Sequence, residues 1–229
     1  MDNLLIILFL FAIIFFLTGF FLLISCQWKQ SSDDIRKSEK VVDYSIIPTD
    51  SNILYFPSVK LASDSADQLN KFNNEWYSKM LFALHEPVIF NLNDSSEVFR
   101  FTWLRTFNNP ISIRINNYNQ KLVLTLKISD GSGGFEHGKL IMDTSFYISK
   151  KEWEIFESKI TKINFWKLNQ TEAVEGKDGS EWILEGKKSD LYHFVDRWSP
   201  NDNRNQDFKD CCDYLIYISN IQLTVKEIY

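Results

Sequence analysis

Cysteine, proline and glycine are scarce in this sequence of 229 residues, which contains 3 Cys, 5 Pro and 8 Gly. The low glycine and proline content excludes a collagen-like, low-complexity or linker-like chain. Three cysteines, of which Cys211 and Cys212 are adjacent, provide neither the spacing of a metal site nor an even disulfide framework. Neighbouring cysteines are poorly placed to bridge each other, so we expect them to be buried on a helix as small apolar residues.

An excess of basic residues is also missing. The chain has 25 Lys and Arg against 30 Asp and Glu, scattered along its length, for a formal net charge of -5. This distribution lacks the basic surface that nucleic-acid binding requires, so we expect no nucleic-acid partner. Aromatic residues are abundant at 15%, and large rings supply much buried area, so the chain can form a sizeable core.

Residues 1–26 form a hydrophobic leader. Its uncharged run, residues 4–25, is 22 residues long, which is enough to span a bilayer as a helix. Asp2 precedes the run, and the basic residues Lys29, Arg36, Lys37 and Lys40 follow it. By the positive-inside rule this asymmetry favours a retained transmembrane helix with the rest of the chain in the cytoplasm.

A second interpretation of the leader is a lipoprotein signal. Residues 23–26, LISC, resemble the bacterial lipoprotein box, in which a small residue such as Ser25 precedes a lipidated cysteine, here Cys26. The polar residues 27–45 that follow are typical of a tether. Both interpretations predict membrane attachment, by a single N-terminal span or by a lipid anchor at Cys26.

Residues 46–229 predict one α+β globular domain. Apolar residues at steps of three or four predict helices at 64–84, 149–166 and 206–219, and the stripe of the first helix is Ala66, Leu69, Phe72, Trp76, Met80 and Leu84. Apolar alternation predicts strands at 97–105, 111–115, 121–128, 140–148, 181–186 and 190–198. We expect an antiparallel sheet of about six strands with the helices packed on one face, preceded by the N-terminal hydrophobic membrane segment.

The candidates for catalysis are His193 and Asp196, in the string DLYHFVDRW. Alternation along a strand would point these two side chains to opposite faces, so a dyad needs a carboxylate from elsewhere, such as Asp130. The other histidines, His85 and His137, have no spacing that suggests a metal site. The glycines of DGSGG, residues 130–134, lack the Gly-Lys-Ser or Gly-Lys-Thr of a phosphate loop and favour a hairpin connection. We therefore expect no metal and no cofactor.

Arginine and aromatic side chains are the candidates for binding. Arg100, Arg114 and Arg197 lie on predicted strands, and Trp198 ends one of them. Arginine and tryptophan commonly anchor protein interfaces. We predict that these four residues, together with Tyr192, line the open face of the sheet.

Several strings considered together resemble an uncharacterised family of bacterial proteins. They are WYSKMLFALHEP (76–87), FRFTWLRTFNNPISIRI (99–115), DGSGG (130–134), FW (165–166), DGSEWILEG (178–186) and YHFVDRWSP (192–200). The resemblance covers about residues 64–218 and implies a bacterial source and one domain across this span. It implies no substrate, cofactor or active site, so it assigns no role to any residue.

The sequence as a whole predicts a membrane-anchored, non-enzymatic binding or interaction domain of the bacterial cell envelope, with an unidentified protein as its partner. Two alternatives stay open. One is a hydrolase that uses His193 with a nearby carboxylate, and the other is an immunity or inhibitor protein, which would share the logic of binding.

Overall fold

A six-stranded antiparallel sheet organises the chain in the computed structural model, which describes residues 41, 45–57, 71–92, 97–119, 121–172, 176, 178–201 and 203–223. The strands are β1 (Glu97–Arg105), β2 (Ile111–Tyr118), β3 (Lys121–Ser129), β4 (Leu140–Tyr147), β5 (Ser180–Lys188) and β6 (Leu191–Trp198). The helices are α1 (Lys71–Ala83), α2 (Lys150–Lys162) and α3 (Gln206–Ile218), with a short 3-10 turn at Phe165–Lys167. The α+β class and the six antiparallel strands are confirmed.

The strands lie in the order β4-β3-β2-β1-β5-β6. β1 to β4 form a meander, in which each strand pairs with the next. After β4 the chain runs through α2 and returns to pair β5 with the free side of β1, and the β5–β6 hairpin completes the sheet. β4 and β6 are therefore the two edge strands.

One side of the sheet, which we call the core face, carries the apolar residues Phe99, Phe101 and Trp103 of β1. Helices α2 and α3 cover this face with the buried side chains Trp153, Phe156, Ile160, Phe208, Cys211, Cys212 and Leu215. A capping box begins α2: Glu152 donates its backbone N–H to Ser149 Oγ, and Glu152 Oε2 accepts the N–H of Ser149. The expectation that the adjacent cysteines are buried on a helix is confirmed.

The opposite side, which we call the charged face, carries Arg100 and Thr102 of β1 and is covered as well. Helix α1 and the segment 45–57 pack against it through a second apolar cluster, which includes Tyr55, Phe56, Tyr77, Leu81, Ile183 and Phe194. The expectation that all helices pack on one face is therefore wrong. Apolar residues on both sides of β5 and β6 require cover on both faces.

The buried side of α1 agrees with the predicted stripe at Met80 and Leu84 but differs at Phe72, while Ala66 and Leu69 lie outside the described residues. Phe72 is 73% exposed, whereas Asn74 and Ser78 are buried. The two polar side chains bind backbone groups of the extended segment: Asn74 Nδ2 donates to the carbonyl of Phe56, and Ser78 Oγ accepts the N–H of Tyr55. Hydrogen-bonding demand from a neighbouring segment, which a helical period does not reveal, decides this orientation.

Helix α1 ends in a Schellman motif. The N–H of His85 donates to the carbonyl of Phe82, and the N–H of Glu86 donates to that of Leu81, while His85 adopts a left-handed φ of 52°. The motif turns the chain sharply toward the sheet. Glu86, the next residue, is fully buried there.

The hydrophobic leader, Cys26 and most of the predicted tether lie outside the described residues. None of the helices in the described part of the chain has the length and apolarity that a membrane crossing requires.

Candidate functional site

The arginines of the predicted binding surface are buried. Arg100 and Arg114 are 0% exposed, because α1, its following loop and the segment 45–57 cover the charged face. The prediction that they line an open face is wrong. Instead, they belong to a row of ionised side chains that we call the charge ladder, which consists of Glu185, Arg100, Glu86, Arg114 and Lys127.

Glu86 is at the centre of the charge ladder. Its Oε2 accepts a hydrogen bond of 2.8 Å from Arg114 Nε and lies 3.6 Å from Arg100 Nη1, while its Oε1 lies 3.9 Å from Lys127 Nζ. The neighbouring carbonyls also bind cations, since Pro87 accepts from Arg100 Nη1 and His85 accepts from Lys127 Nζ. The loop after α1 is thus fixed to three strands of the sheet.

Two further side chains contact the ends of the charge ladder: Tyr192 at Glu185 and Asp143 at Lys127. Glu185 accepts hydrogen bonds from Arg100 Nε at 2.7 Å and from Tyr192 Oη at 2.9 Å. At the other end Lys127 Nζ lies 3.8 Å from Asp143, whose side chain is half-exposed. Three cations meet two fully buried carboxylates, and Asp143 supplies the third negative charge at the edge of the sheet.

In the charge ladder, burial disfavours the charged forms of the side chains, whereas the attraction between opposite charges favours them. Burial raises the pKa of Glu185, although Arg100 acts in the opposite direction. For Arg100, burial lowers the pKa, but the carboxylates of Glu185 and Glu86 outweigh it, so that the pKa rises. The groups are paired and enclosed, which makes the ladder suited to fixing the register of α1 on the sheet rather than to exchanging protons with a substrate.

His193 lies on the core face and has a structural environment. Its Nε2 is 2.9 Å from the carbonyl of Leu168, and its ring packs edge-on against Phe165 at 5.2 Å. Burial lowers the pKa of His193. Asp196 faces the other side of the sheet, so the two residues do not form a base and its orienting acid.

The alternative partner, Asp130, is remote from His193. It follows β3, whereas His193 is on β6, and three strands separate these two, which corresponds to about 19 Å across the sheet. Asp130 Oδ1 instead accepts the N–H of Lys139 and closes the loop 130–139.

Asp196 takes part in a buried acidic contact with Tyr77 and Glu181. It accepts a hydrogen bond of 3.0 Å from Tyr77 Oη, which links β6 to α1. Burial raises the pKa of Asp196 to about 6. Burial, reinforced by the negative charge of Asp196, raises the pKa of Glu181 to about 9. The raised pKa favours the protonated form of Glu181 beside Asp196.

Arg197 and Trp198, at the end of β6, contact neighbouring loops. The guanidinium of Arg197 donates to the carbonyls of Asn169 and Gln170, and the N–H of Asp196 donates to the same Gln170 carbonyl at 2.7 Å. These bonds hold the loop 168–172 against the outer side of β6. Trp198, half-buried, packs so closely on Gly179 that a side chain there would collide with the indole.

The glycine-rich loop 130–139 packs against its own chain. Gly133 donates to the carbonyl of Asn108, and Gly134 donates to that of Thr106, so the loop folds onto the turn between β1 and β2. A Cβ on Gly133 would lie 2.6 Å from the backbone nitrogen of Arg105. The glycines permit this close approach, which supports the predicted connecting role over phosphate binding.

This contact brings together two exposed phenylalanines that sequence reasoning missed. Phe107, on the turn, and Phe135, on the loop, are 59% and 70% exposed, and their ring centroids lie 6.0 Å apart. We call them the aromatic pair. A signal was present, since an aromatic residue within an Asn- or Gly-rich turn departs from the polar composition expected there.

Cys211 and Cys212 are free and buried in α3, and burial raises the pKa of Cys211 to about 12. Within the described ranges, no group of three or more His, Cys, Asp or Glu side chains is arranged to hold a metal ion. Among the ring pairs of the described residues, the aromatic pair is the one in which both rings are more than half exposed, and we therefore select it as the candidate site.

We expect Glu86→Gln to destabilise the fold by about 3–5 kcal/mol, because it removes the negative charge that three buried cations share. Chemical unfolding followed by tryptophan fluorescence measures the change. Glu75→Gln is the matched control: Glu75 forms an exposed ion pair with Lys71 on the same region of the chain, and its loss should cost less than about 0.5 kcal/mol. Equal losses of unfolding free energy in the two variants would contradict the stabilising role of the charge ladder.

Glu181 should make the fold less stable as the pH rises. Its carboxyl releases its proton near pH 4.5 in the unfolded chain but near pH 9 in the folded one, so stability falls between these values. Glu181→Gln removes this dependence and should be increasingly more stable than wild type toward pH 9 in thermal unfolding. Glu154→Gln, at an exposed position of α2, should follow the wild-type profile. A constant offset of Glu181→Gln at all pH values would argue against the raised pKa.

A comparison with protein-family models gives no match, and a comparison with curated proteins gives none either. The resemblance to a bacterial family stays a prediction. The geometry of the described residues is therefore the basis for a function.

Proposed function

We propose that this protein is a membrane-attached binding domain of the bacterial cell envelope, which holds a partner protein through the aromatic pair Phe107 and Phe135. The observation that carries the proposal is the exposure of two adjacent phenylalanines on loops that are fixed by backbone hydrogen bonds. Burying one phenylalanine side chain is worth about 1.5–3 kcal/mol, so the pair supplies enough apolar surface to anchor an interface.

The rigid presentation of the pair supports binding over accidental exposure. The turn is tied to the loop by the bonds of Gly133 and Gly134, and Thr106 Oγ1 donates to the carbonyl of Gly179, which fixes the turn to the start of β5. Binding groups that are already ordered lose less conformational entropy on association. The loops that carry the two rings therefore need little further ordering when a partner binds.

Charge near the pair favours a protein over an anionic lipid surface. The loop and the adjoining β4 carry three exposed or half-exposed acids and one exposed lysine. The acids are Asp130, Glu136 and Asp143, and the lysine is Lys139. Anionic lipids attract basic segments. The acidic surroundings are suited to a partner with basic side chains at the rim of an apolar pocket.

The hydrolase alternative gains no support from the geometry, because His193 binds a backbone carbonyl and its two candidate acids lie elsewhere. An immunity or inhibitor protein is a special case of the binding proposal. In that case the partner would be a toxin or an enzyme, and the identity of the bound partner distinguishes it.

The test is site-specific photo-crosslinking of the full-length protein in its cells, with benzoylphenylalanine replacing Phe107 or Phe135. We expect both positions to yield an adduct with the same protein, because one partner covers both rings. Phe72 and Tyr217, which are 73% and 76% exposed, are the matched control positions. Phe107→Ala should reduce the yield of the adduct formed at position 135.

Three results would contradict the proposal. They are equal adducts at the control positions, adducts of 107 and 135 with unrelated proteins, and an adduct with lipid alone.

Membrane attachment is proposed from the uncharged residues 4–25 and from Cys26. We expect the full-length chain in the membrane fraction and a chain lacking residues 1–26 in the soluble fraction. Metabolic palmitate labelling that Cys26→Ala abolishes and Cys212→Ala retains indicates a lipid anchor. If the wild-type protein is not labelled and the domain is protected from external protease, the leader is a transmembrane span with the domain inside the cell. Full-length protein in the soluble fraction would be inconsistent with either form of attachment.

A further inference from the structure

The two edges of the sheet differ in their cover. The outer side of β6 is bound by the loop 168–172, through the carbonyl of Gln170 and the guanidinium of Arg197. β4, at the other edge, pairs with β3 alone among the described strands. Its residues 141–144 are exposed, although they alternate between the two sides of the sheet. The first half of β4 therefore extends beyond the layers that cover both faces.

The register defines which backbone groups of β4 point outward. Ile148 donates its N–H to the carbonyl of Leu122, and in an antiparallel pair such bonded positions recur at every second residue. Met142, Thr144 and Phe146 therefore face β3 with their amides, whereas Asp143 and Ser145 direct theirs away from the sheet. Ile141 is the extra residue of a bulge, and the register is regular from Met142 to Tyr147.

Along this regular part, β4 has few of the features that usually protect an edge strand, since Asp143 is its one charged side chain. It contains neither Lys nor Pro, and its bulge is confined to the first residues. Apolar side chains accompany the open backbone, since Ile141 is 59% and Met142 is 42% exposed.

We propose that β4 accepts an extended segment of the partner protein as a seventh strand, which pairs with the outward amides of Asp143 and Ser145. This inference rests on the proposed function and names the chemistry of the partner. Side chains of an added strand alternate between the faces of the sheet. In the partner's strand, the side chains on the core face are apolar because they lie beside Met142. The side chains on the charged face are basic because they lie beside Asp143. The loop that carries Phe135 leads directly into β4, so residues 136–139 join the aromatic pair to the strand in the chain.

The probe is a short synthetic peptide of alternating valine and lysine, added to full-length protein in detergent. Hydrogen exchange is measured amide by amide. We expect the amides of Asp143 and Ser145 to exchange about tenfold more slowly with the peptide, while those of β1 in the centre of the sheet stay unchanged. The same peptide methylated on alternate backbone nitrogens cannot pair, and should give no protection.

Charge specificity is tested with a peptide of alternating valine and glutamate and with Asp143→Asn. The glutamate peptide should protect β4 less than the lysine peptide does in wild type, and Asp143→Asn should reduce that difference. Asp190→Asn, in the exposed turn between β5 and β6, is the matched control and should keep it. An unchanged fluorescence spectrum of the variants verifies the fold.

Binding of the methylated peptide at equal strength, protection at β6 in place of β4, or no protection by any peptide would overturn the inference. Protection of the two amides in concentrated protein without peptide would indicate pairing between two copies and would also overturn it. The crosslinking test is independent of these outcomes. Specific adducts at Phe107 and Phe135 together with an unprotected β4 would leave the proposed function in place.

Discussion

The carboxylate of Glu86 is the contact on which the arrangement of the charged face depends. Arg100, Arg114 and Lys127 come from three adjacent strands and would repel one another if they were enclosed without it. A buried charge is tolerable only when it is paired and hydrogen-bonded. The loop after α1 therefore lies where the Glu86 carboxylate is close to all three cations, and this contact also fixes where α1 lies.

The position of α1 in turn determines the environment of the residues around it. Tyr77 reaches Asp196 because the helix lies across β5 and β6, and the segment 45–57 is held by Asn74 and Ser78 of the same helix. With both faces covered in this way, most side chains able to do chemistry are enclosed and matched with each other. Among the surfaces that the described residues leave exposed, the loop end of the sheet and the edge strand β4 are the ones that we propose for a partner.

Alternating apolar residues were sufficient to predict all six strands, because each strand buries Phe, Ile, Leu or Val on the core face. The same alternation was misleading for Arg100 and Arg114, which occupy positions that are normally solvated. Their burial depends on Glu86, which is distant in sequence from both. Phe107 and Phe135 could have been selected as aromatic residues in polar turns. Their proximity could not have been predicted, since it results from the folding of a glycine-rich loop onto another turn.

The loop 168–172 has a consequence for assembly. Growth of sheets into fibres requires that every molecule offers two open borders, one for each neighbour. In this fold the border at β6 is bound by the molecule's own backbone at Asp196, which hinders growth of the sheet on that side. An edge strand that is open at β4 is thus compatible with a fold whose other border does not offer the same opening at Asp196.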